Sequence, residues 1–488
     1  LIKGYIVYKT CTYPILVKYS EKLIRTSYKL LGTTLTDFIL KLTFFSQFCA
    51  GENEIKIEPT IKKFNQFGIG SILDYAAEAD LDEEEEKAKK KIQVSEEQKK
   101  VQVRTYNYKN EELCEERAEI FRRCLVAAHN VKGDRSNAFV AIKCTALTDP
   151  LLLEKMSITV VELRNLFHRF DVDGSGYITL DEFKTQYEAI FSNSDNINDV
   201  FSKLDRNNDG KVDYIAWSNT IQIENLKDLT KHCKVQGPLF RATFTDEERE
   251  LLLKMRKRVN LLAELAVEKD VQMMIDAEHT YFQPAIDNIA YTLMNKYNKN
   301  KAVIFSTYQM YLNDSMGRLI TDLNRAKNGN YYFAAKLVRG AYLELEKKRA
   351  IDQNYPNPIH ATKSDTDDNY NNGINEVLRR ISEGSKIELM IASHNQGSIE
   401  KTVELMDQYK ISPKDGPIHF AQLMGMSDHL TYGLGKKGYK AYKYVPYGAV
   451  KEVMPYLIRR AQENSGMMGG AHNELKMLKA EIKRRLGF

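Results

Sequence analysis

The chain has no apolar run of about 18 residues or more, so nothing in it reads as a membrane-crossing helix. It also has no Cys-x-x-Cys pair. Its six cysteines (Cys11, Cys49, Cys114, Cys124, Cys144, Cys233) are scattered without tight spacing, which argues for reduced core thiols rather than a disulfide frame or a zinc site. No Gly-x-Gly-x-x-Gly follows the first strand-like segment, as a dinucleotide-binding doubly wound sheet would require. Outside the first 50 residues there is no excess charge of either sign. The net +5 is 71 Lys/Arg minus 66 Asp/Glu, and residues 1–50, with seven Lys/Arg and two Asp/Glu, hold all of it. A neutral body lacks the basic face that nucleic acid needs, so no nucleic-acid partner is expected.

What is present is an ordinary globular composition, 43% hydrophobic and 28% charged over 488 residues, enough for a large domain and a smaller one. Composition divides the chain into four parts. Residues 1–70 are basic and helical in pattern, compatible with the remains of a targeting segment or a membrane-contact region, although KLTFFSQFCAGE has the rhythm of a folded helix. Residues 71–150 open a strand–helix alternation and include, at 81–110, an acidic block followed by a basic one that reads as a solvated linker. Residues 151–240 read as a helical insert, and 241–488 resume the alternation and end in helices.

Short apolar runs recur at 71–79, 139–147, 271–279, 303–312, 333–342, 387–395, 419–426 and 441–449, with amphipathic helices between most of them. Eight strands each followed by a helix predict an α/β fold of the closed (β/α)₈ type, with the open sheet as competitor. Most of these runs turn polar at their C-terminal ends, where such barrels carry their chemistry: Asp276 and Glu278, Gln309, Arg339 and Tyr342, His394 and Asn395, Gln422, Tyr444. Beyond them Arg459 and Arg460 stand side by side after the apolar stretch VMPYLI. Two guanidinium forks there suit a carboxylate or phosphate.

The insert carries the sharpest local pattern. In DVDGSGYITLDE, Asp171, Asp173 and Ser175 hold the first, third and fifth positions of a twelve-residue EF-hand loop. Gly176 makes the turn, Tyr177 offers its carbonyl, Thr179 is ninth and Glu182 closes, predicting Ca²⁺ at this loop. In its partner DRNNDGKVDYIA the twelfth position is Ala216, so that loop reads as a structural mate. Trp217, the only tryptophan, is expected in the core of the pair.

Taken together, the stretches AIKCTAL, MIDAEHTYFQPAID, TYQMYL, AKLVRGAYLELE, ASHN, QLMGM, YKYVPYG and PYLIRRAQEN resemble the proline dehydrogenase family in its eukaryotic mitochondrial form. LTFFSQFCAGE and FGIGSILDYAAE look like its N-terminal part. The resemblance implies FAD-dependent oxidation of L-proline to 1-pyrroline-5-carboxylate, the first step of proline catabolism. Electrons would then pass to a quinone, through peripheral contact with the matrix side of the mitochondrial inner membrane. It implies that Lys143, Arg459 and Arg460 bind the substrate carboxylate and that Asp276 belongs to the active site, as a counter-ion or in proton handling. Tyr444 and Tyr456 would wall the substrate ring, with Leu337 and Tyr342 beside it. Gln309, Lys336, Val338, Arg339, Gly340, Thr362, Lys363, His394, Asn395, Gln422 and Glu463 would neighbour the FAD. Cations such as Lys336 and Arg339 near a flavin ring stabilise the negative charge it takes on reduction. Related hydroxyproline dehydrogenases carry a small hydroxyl residue where Tyr444 stands, so the phenol implies proline as preferred substrate. Two alternatives stay open at this point: hydroxyproline dehydrogenase activity, and a calcium-responsive binding protein with an inert barrel.

Overall fold

The computed structural model describes residues 1–76, 108–132, 137–192, 197–466 and 470–487. Nearly all of the charged 81–110 stretch, and the tail of the first strand candidate, lie outside the described residues. Eight strands form one closed parallel barrel: β1 (Ile69–Tyr75), β2 (Phe139–Ile142), β5 (Gln272–Ile275), β6 (Ile304–Gln309), β7 (Phe333–Val338), β8 (Ile387–Ala392), β9 (Ile418–Leu423) and β10 (Lys440–Tyr447). β3 (Tyr177–Thr179) and β4 (Lys211–Asp213) make a separate two-stranded antiparallel sheet. Closure comes from β1, whose Ile72 opposes Phe139 of β2 on one side and Tyr444 of β10 on the other. The open-sheet alternative is therefore excluded.

Side chains alternate along each strand. Ile72, Phe139, Ala141, Met274, Phe305, Ala334, Met390, Ala421 and Tyr442 fill the lumen. Their neighbours Leu73, Val140, Met273, Ile304, Leu337, Ile391, Phe420 and Val445 bury the outer face under the helices. All eight expected strands are present, but each ends two to five residues before its apolar run does. The reason is that the rim loops are themselves covered: Ala146, Leu147, Ala277 and His279 are buried without joining a ladder. Hydrophobicity reports burial there, not strand.

Between β2 and β5 lie two helix–loop–helix units joined through β3 and β4, with Ile178 opposite Val212. The first helix, Pro150–Phe170, is continuous from the barrel rim. Leu152, Leu153, Met156, Val160 and Leu163 on it belong to the barrel core, whereas Leu166, Phe167 and Phe170 belong to a second core with Phe183, Phe201 and Trp217. Trp217 Nε1 donates to the Leu163 carbonyl at 3.1 Å, as fits a core residue of the pair. Five of the six thiols are buried, Cys233 is half-buried, and none is bridged. Among the described residues no helix is long and apolar enough to cross a membrane.

Candidate active site

The lumen-facing register delivers a charged cluster to the C-terminal mouth. Asp74 follows inward Ile72 by two residues, Lys143 follows Ala141, Asp276 follows Met274, Lys336 follows Ala334 and Tyr444 follows Tyr442. Lys336 Nζ donates to Asp276 Oδ1, and the Tyr444 hydroxyl donates to Oδ2 at 2.9 Å. Lys143 Nζ lies 3.6 Å from Asp276 Oδ2 and 3.8 Å from Asp74 Oδ1. Lys336 also sits 5.4 Å from the Tyr444 ring centroid. Burial alone would raise the Asp276 pKa. Lys336 and Lys143, with the hydrogen bonds from Lys336 and Tyr444, reverse this and hold it below the usual carboxylate range. Burial, and then the Asp276 charge, push the Tyr444 phenol well above its ordinary value, so it remains a donor.

The helix Met454–Gly466 closes one side of the mouth. Arg460 is buried, donates to Glu463 Oε1 at 2.6 Å and lies 4.9 Å from the Tyr456 ring. Arg459 is half-buried, 6.0 Å from the same ring. Burial pushes the Tyr456 phenol well above its ordinary value; the Arg460 charge opposes this and the Asp74 charge adds to it. His394, on the rim after β8, has its pKa lowered to about 3, first by burial and then by Lys443 and Arg460. It is a neutral ring bonded through Nδ1 to Ser427 Oγ at 3.1 Å.

A second cation centre sits at the ends of β7 and β8. Arg339 stacks 3.9 Å over the Tyr370 ring, pairs with Asp367, and donates to Ser398 Oγ at 2.7 Å. Asp367 also receives Lys363 at 2.7 Å, and Thr362 caps the helix Lys363–Ser382 that carries it. Gly340 follows with φ 56°, and the space a Cβ would enter there is open. Gln309 is buried and donates to the Glu278 carbonyl at 2.8 Å. Asn395 caps the helix Gln396–Gln408 by accepting from Ser398 N. Val338 faces the lumen side of β7, and Tyr342 is buried 4.4 Å from the His279 ring.

Two expected contacts do not fit the register. Leu337 neighbours Lys336 in a strand, so it must face the opposite way. It is fully buried under the helix Lys363–Ser382, close to Gly373, and does not wall the mouth. Leu423, which shares the inward face of Ala421 on β9, is one of the aliphatic side chains that pack against the Tyr456 cluster. Gln422 shares the outer face of Phe420. Its amide is occupied by the Ser393 carbonyl at 3.1 Å and the Thr431 hydroxyl at 2.8 Å, so it braces the rim from outside. Asp74 was not anticipated, although a carboxylate inside the apolar run SILDY, two places beyond an inward isoleucine, is a readable signal.

In the insert, carboxylate oxygens of Asp171, Asp173 and Glu182 lie within 4.8 Å of one another. Asp171 accepts from Gly176 N at 3.0 Å, Asp173 from Ser175 N at 2.9 Å, and Glu182 from Val172 N at 3.1 Å. Ser175 Oγ donates to the Tyr177 carbonyl at 3.1 Å, and Thr179 and Glu182 form a reciprocal helix cap.

Several buried polar atoms at the barrel mouth have no hydrogen-bond partner among the described residues: Gln309 Oε1, Arg339 Nε, Arg460 Nε and the Tyr456 hydroxyl. Buried polar atoms are seldom left unmatched, and groups of this kind would be satisfied by a polar ligand. A closed parallel barrel with paired lysines and carboxylates in its mouth, flanked by an arginine helix, defines a (β/α)₈ protein with an anion-accepting site at the usual end. The chain belongs to the proline dehydrogenase family, whose model matches residues 57–473. It is 36% identical over 535 residues to proline dehydrogenase 1, mitochondrial, of Drosophila melanogaster, covering 100% of this chain and 78% of that protein. The Homo sapiens protein of the same name is 35% identical over 528 residues, covering 100% and 87%. A hydroxyproline dehydrogenase of Xenopus laevis is 29% identical over 485 residues, covering 99% and 86%. Among solved structures, proline utilization A from Bdellovibrio bacteriovorus superposes with a TM-score of 0.59 at 16% identity. The match covers 90% of this chain and 35% of that one, a likeness of fold.

Proposed function

We propose that this chain is an FAD-dependent proline dehydrogenase that oxidises L-proline to 1-pyrroline-5-carboxylate in proline catabolism. FAD, when bound, supplies the acceptor for the hydride that leaves the ring carbon next to nitrogen. The chain's own residues bind and orient. Arg459, Arg460 and Lys143 are the cations suited to the substrate carboxylate, and buried Arg460 keeps one donor atom unmatched. Tyr444 and Tyr456 flank the ring. Asp276 stays ionised and fixes Lys336, Lys143 and Tyr444, so it acts as the counter-ion of the pocket rather than a proton carrier. Gln309, Arg339 and the Gly340 turn suit the flavin by their unmatched polar atoms and open backbone. No residue need act as nucleophile; positioning and charge supply the catalysis.

The observation that carries this reading is the set of buried, unmatched donors and acceptors around the ion cluster at the barrel mouth. The test is bleaching of the bound flavin by L-proline, compared with Arg460→Ala. The variant should keep its flavin and need about 10–100-fold more proline, the worth of a lost charge-assisted pair. An unchanged proline requirement would remove Arg460 from the substrate site.

A quinone as the electron acceptor, and peripheral contact with the mitochondrial inner membrane, are supported by the mitochondrial names of the relatives and by the basic first 50 residues. Ca²⁺ at the Asp171–Glu182 loop, making this unit an EF-hand pair, is supported by the ligand spacing, the convergent carboxylates and the pairing through β3 and β4.

A further inference from the structure

The N-terminal segment leaves apolar side chains exposed that a helix serving only to cover the barrel would bury. Helices Ile2–Cys11 and Pro14–Lys18 anchor inward: Val7 packs with Tyr456 and Leu457, and Cys11 and Val17 pack with Ala461, all on the arginine helix. The next helix, Ser20–Leu40, breaks at Gly32 (φ 75°, ψ 172°), and Tyr28 hydroxyl to Asp37 Oδ1 at 2.6 Å ties its two arms. An apolar stripe at helical spacing leads into the break from the helix Pro14–Lys18, another leads out of it into the turn Lys41–Phe45, and both stripes are exposed. Leu16, Tyr19, Leu23 and Leu30 make one; Leu31, Leu35, Phe38 and Leu42 make the other, with Leu30 at the break 78% exposed. Helical stripes of this kind normally face a core. Half of the exposed large hydrophobics among the described residues, 14 of 27, fall within the first 42.

Beside the first stripe runs a basic one, Lys18, Lys22, Arg25 and Lys29, at the same three-to-four-residue spacing and also exposed. Aliphatic and aromatic side chains flanked by lysines and arginines are the composition of a helix lying in a bilayer interface, with its apolar face among acyl chains and its cations at anionic headgroups. A second copy of this chain would fit poorly, because its matching surface carries the same positive excess. The segment also adjoins the mouth: Lys451, between β10 and the arginine helix, reaches within 5.9 Å of the Tyr28 ring centroid.

We propose that Pro14–Leu42 is an interfacial wedge that seats the barrel mouth on an anionic lipid bilayer. This deepens the peripheral contact inferred above. It places the site's opening next to the phase in which a lipid-soluble acceptor dissolves.

The test uses the full flavin-loaded chain, sedimented with vesicles of phosphatidylcholine alone or mixed in equal parts with phosphatidylglycerol. The mixed vesicles should be bound, and the Leu30→Ser/Leu31→Ser/Phe38→Ser variant should lose at least about tenfold in affinity for them. Lys18→Glu/Lys22→Glu/Lys29→Glu should lose a similar about tenfold, and added salt should weaken the wild type. Both variants should oxidise proline at the wild-type rate with a water-soluble dye as acceptor. Equal binding to both vesicle types, undiminished binding by the serine variant, or a wild-type dimer that the serine variant dissociates would each overturn the wedge. Loss of dye-linked proline oxidation in the wild type, with lipid binding intact, would instead sink the proposed activity and leave the wedge standing.

Discussion

Replacing Asp276 with Asn isolates the central charge of the pocket with little change of shape. Lys143 stands 3.6 Å from one carboxylate oxygen. At an effective dielectric of about 20 that single pair has a Coulomb energy of about 4–5 kcal/mol, and Lys336, in direct contact, contributes at least as much. Desolvation of the buried ions offsets most of this, so the net quantity is the cost of leaving the lysines without their partner, about 3–5 kcal/mol. Lys143 retains Asp74 at 3.8 Å, whereas no other acid is paired with Lys336 in the described residues. The loss should therefore fall mainly on Lys336, and Asp276→Asn/Lys336→Met should recover a large part of it. The assay is guanidinium unfolding of wild type, both single variants and the double variant at saturating FAD, read as a double-mutant cycle. A destabilisation below about 1 kcal/mol for Asp276→Asn would mean that these charges are screened like surface ions, and the reasoning would fail.

Tyr444→Ser should shift the ratio of proline to hydroxyproline turnover by about 10–200-fold toward hydroxyproline, measured as kcat/KM for each, since one steric contact is worth ~1–3 kcal/mol. An unchanged ratio would remove Tyr444 from specificity. His394 is held neutral with a pKa of about 3, so on acidification below about 6.5 the unfolded chain gains a proton that the folded chain refuses. Stability should fall from pH 7 to pH 5 by about 1–2 kcal/mol on this account, and His394→Gln should flatten that slope; equal slopes would refute it. Calcium at a hundred times its dissociation constant should add about 2.7 kcal/mol of stability, abolished by Glu182→Gln, with little effect on turnover. A change in turnover of about tenfold on chelation would show instead that the loop drives the site, by about 1.4 kcal/mol of activation free energy.

The barrel was legible because eight apolar runs with helices between them leave few alternatives. Of the ion cluster, Asp276 and Tyr444 were legible as polar residues toward the ends of those runs, whereas Lys143 and Lys336 lie inside their runs and stand out only through the family resemblance. What the sequence could not carry was direction. Lys336 and Leu337 are adjacent in a matching motif, yet a strand sends them to opposite faces, and only the register shows that lysine has the lumen. The same alternation turns Gln422 outward and Leu423 inward. Asp74 is hidden in the sequence because apolar residues continue past it to 79, although the strand itself ends at Tyr75. The helix spacing of the first 42 residues was visible, but not that its apolar stripes would remain uncovered.

The helix Pro150–Phe170, about 31 Å long by its 21 residues, belongs to two cores at once. Melting the helix–loop–helix unit would strip the rod of its far-end partners without releasing its near end. Amide hydrogen exchange should therefore show graded protection along it, slowest near Leu152 to Met156 and fastest near Phe170. An event at the distal loop would reach the β2 rim as altered fraying of one continuous rod, with no hinge between them.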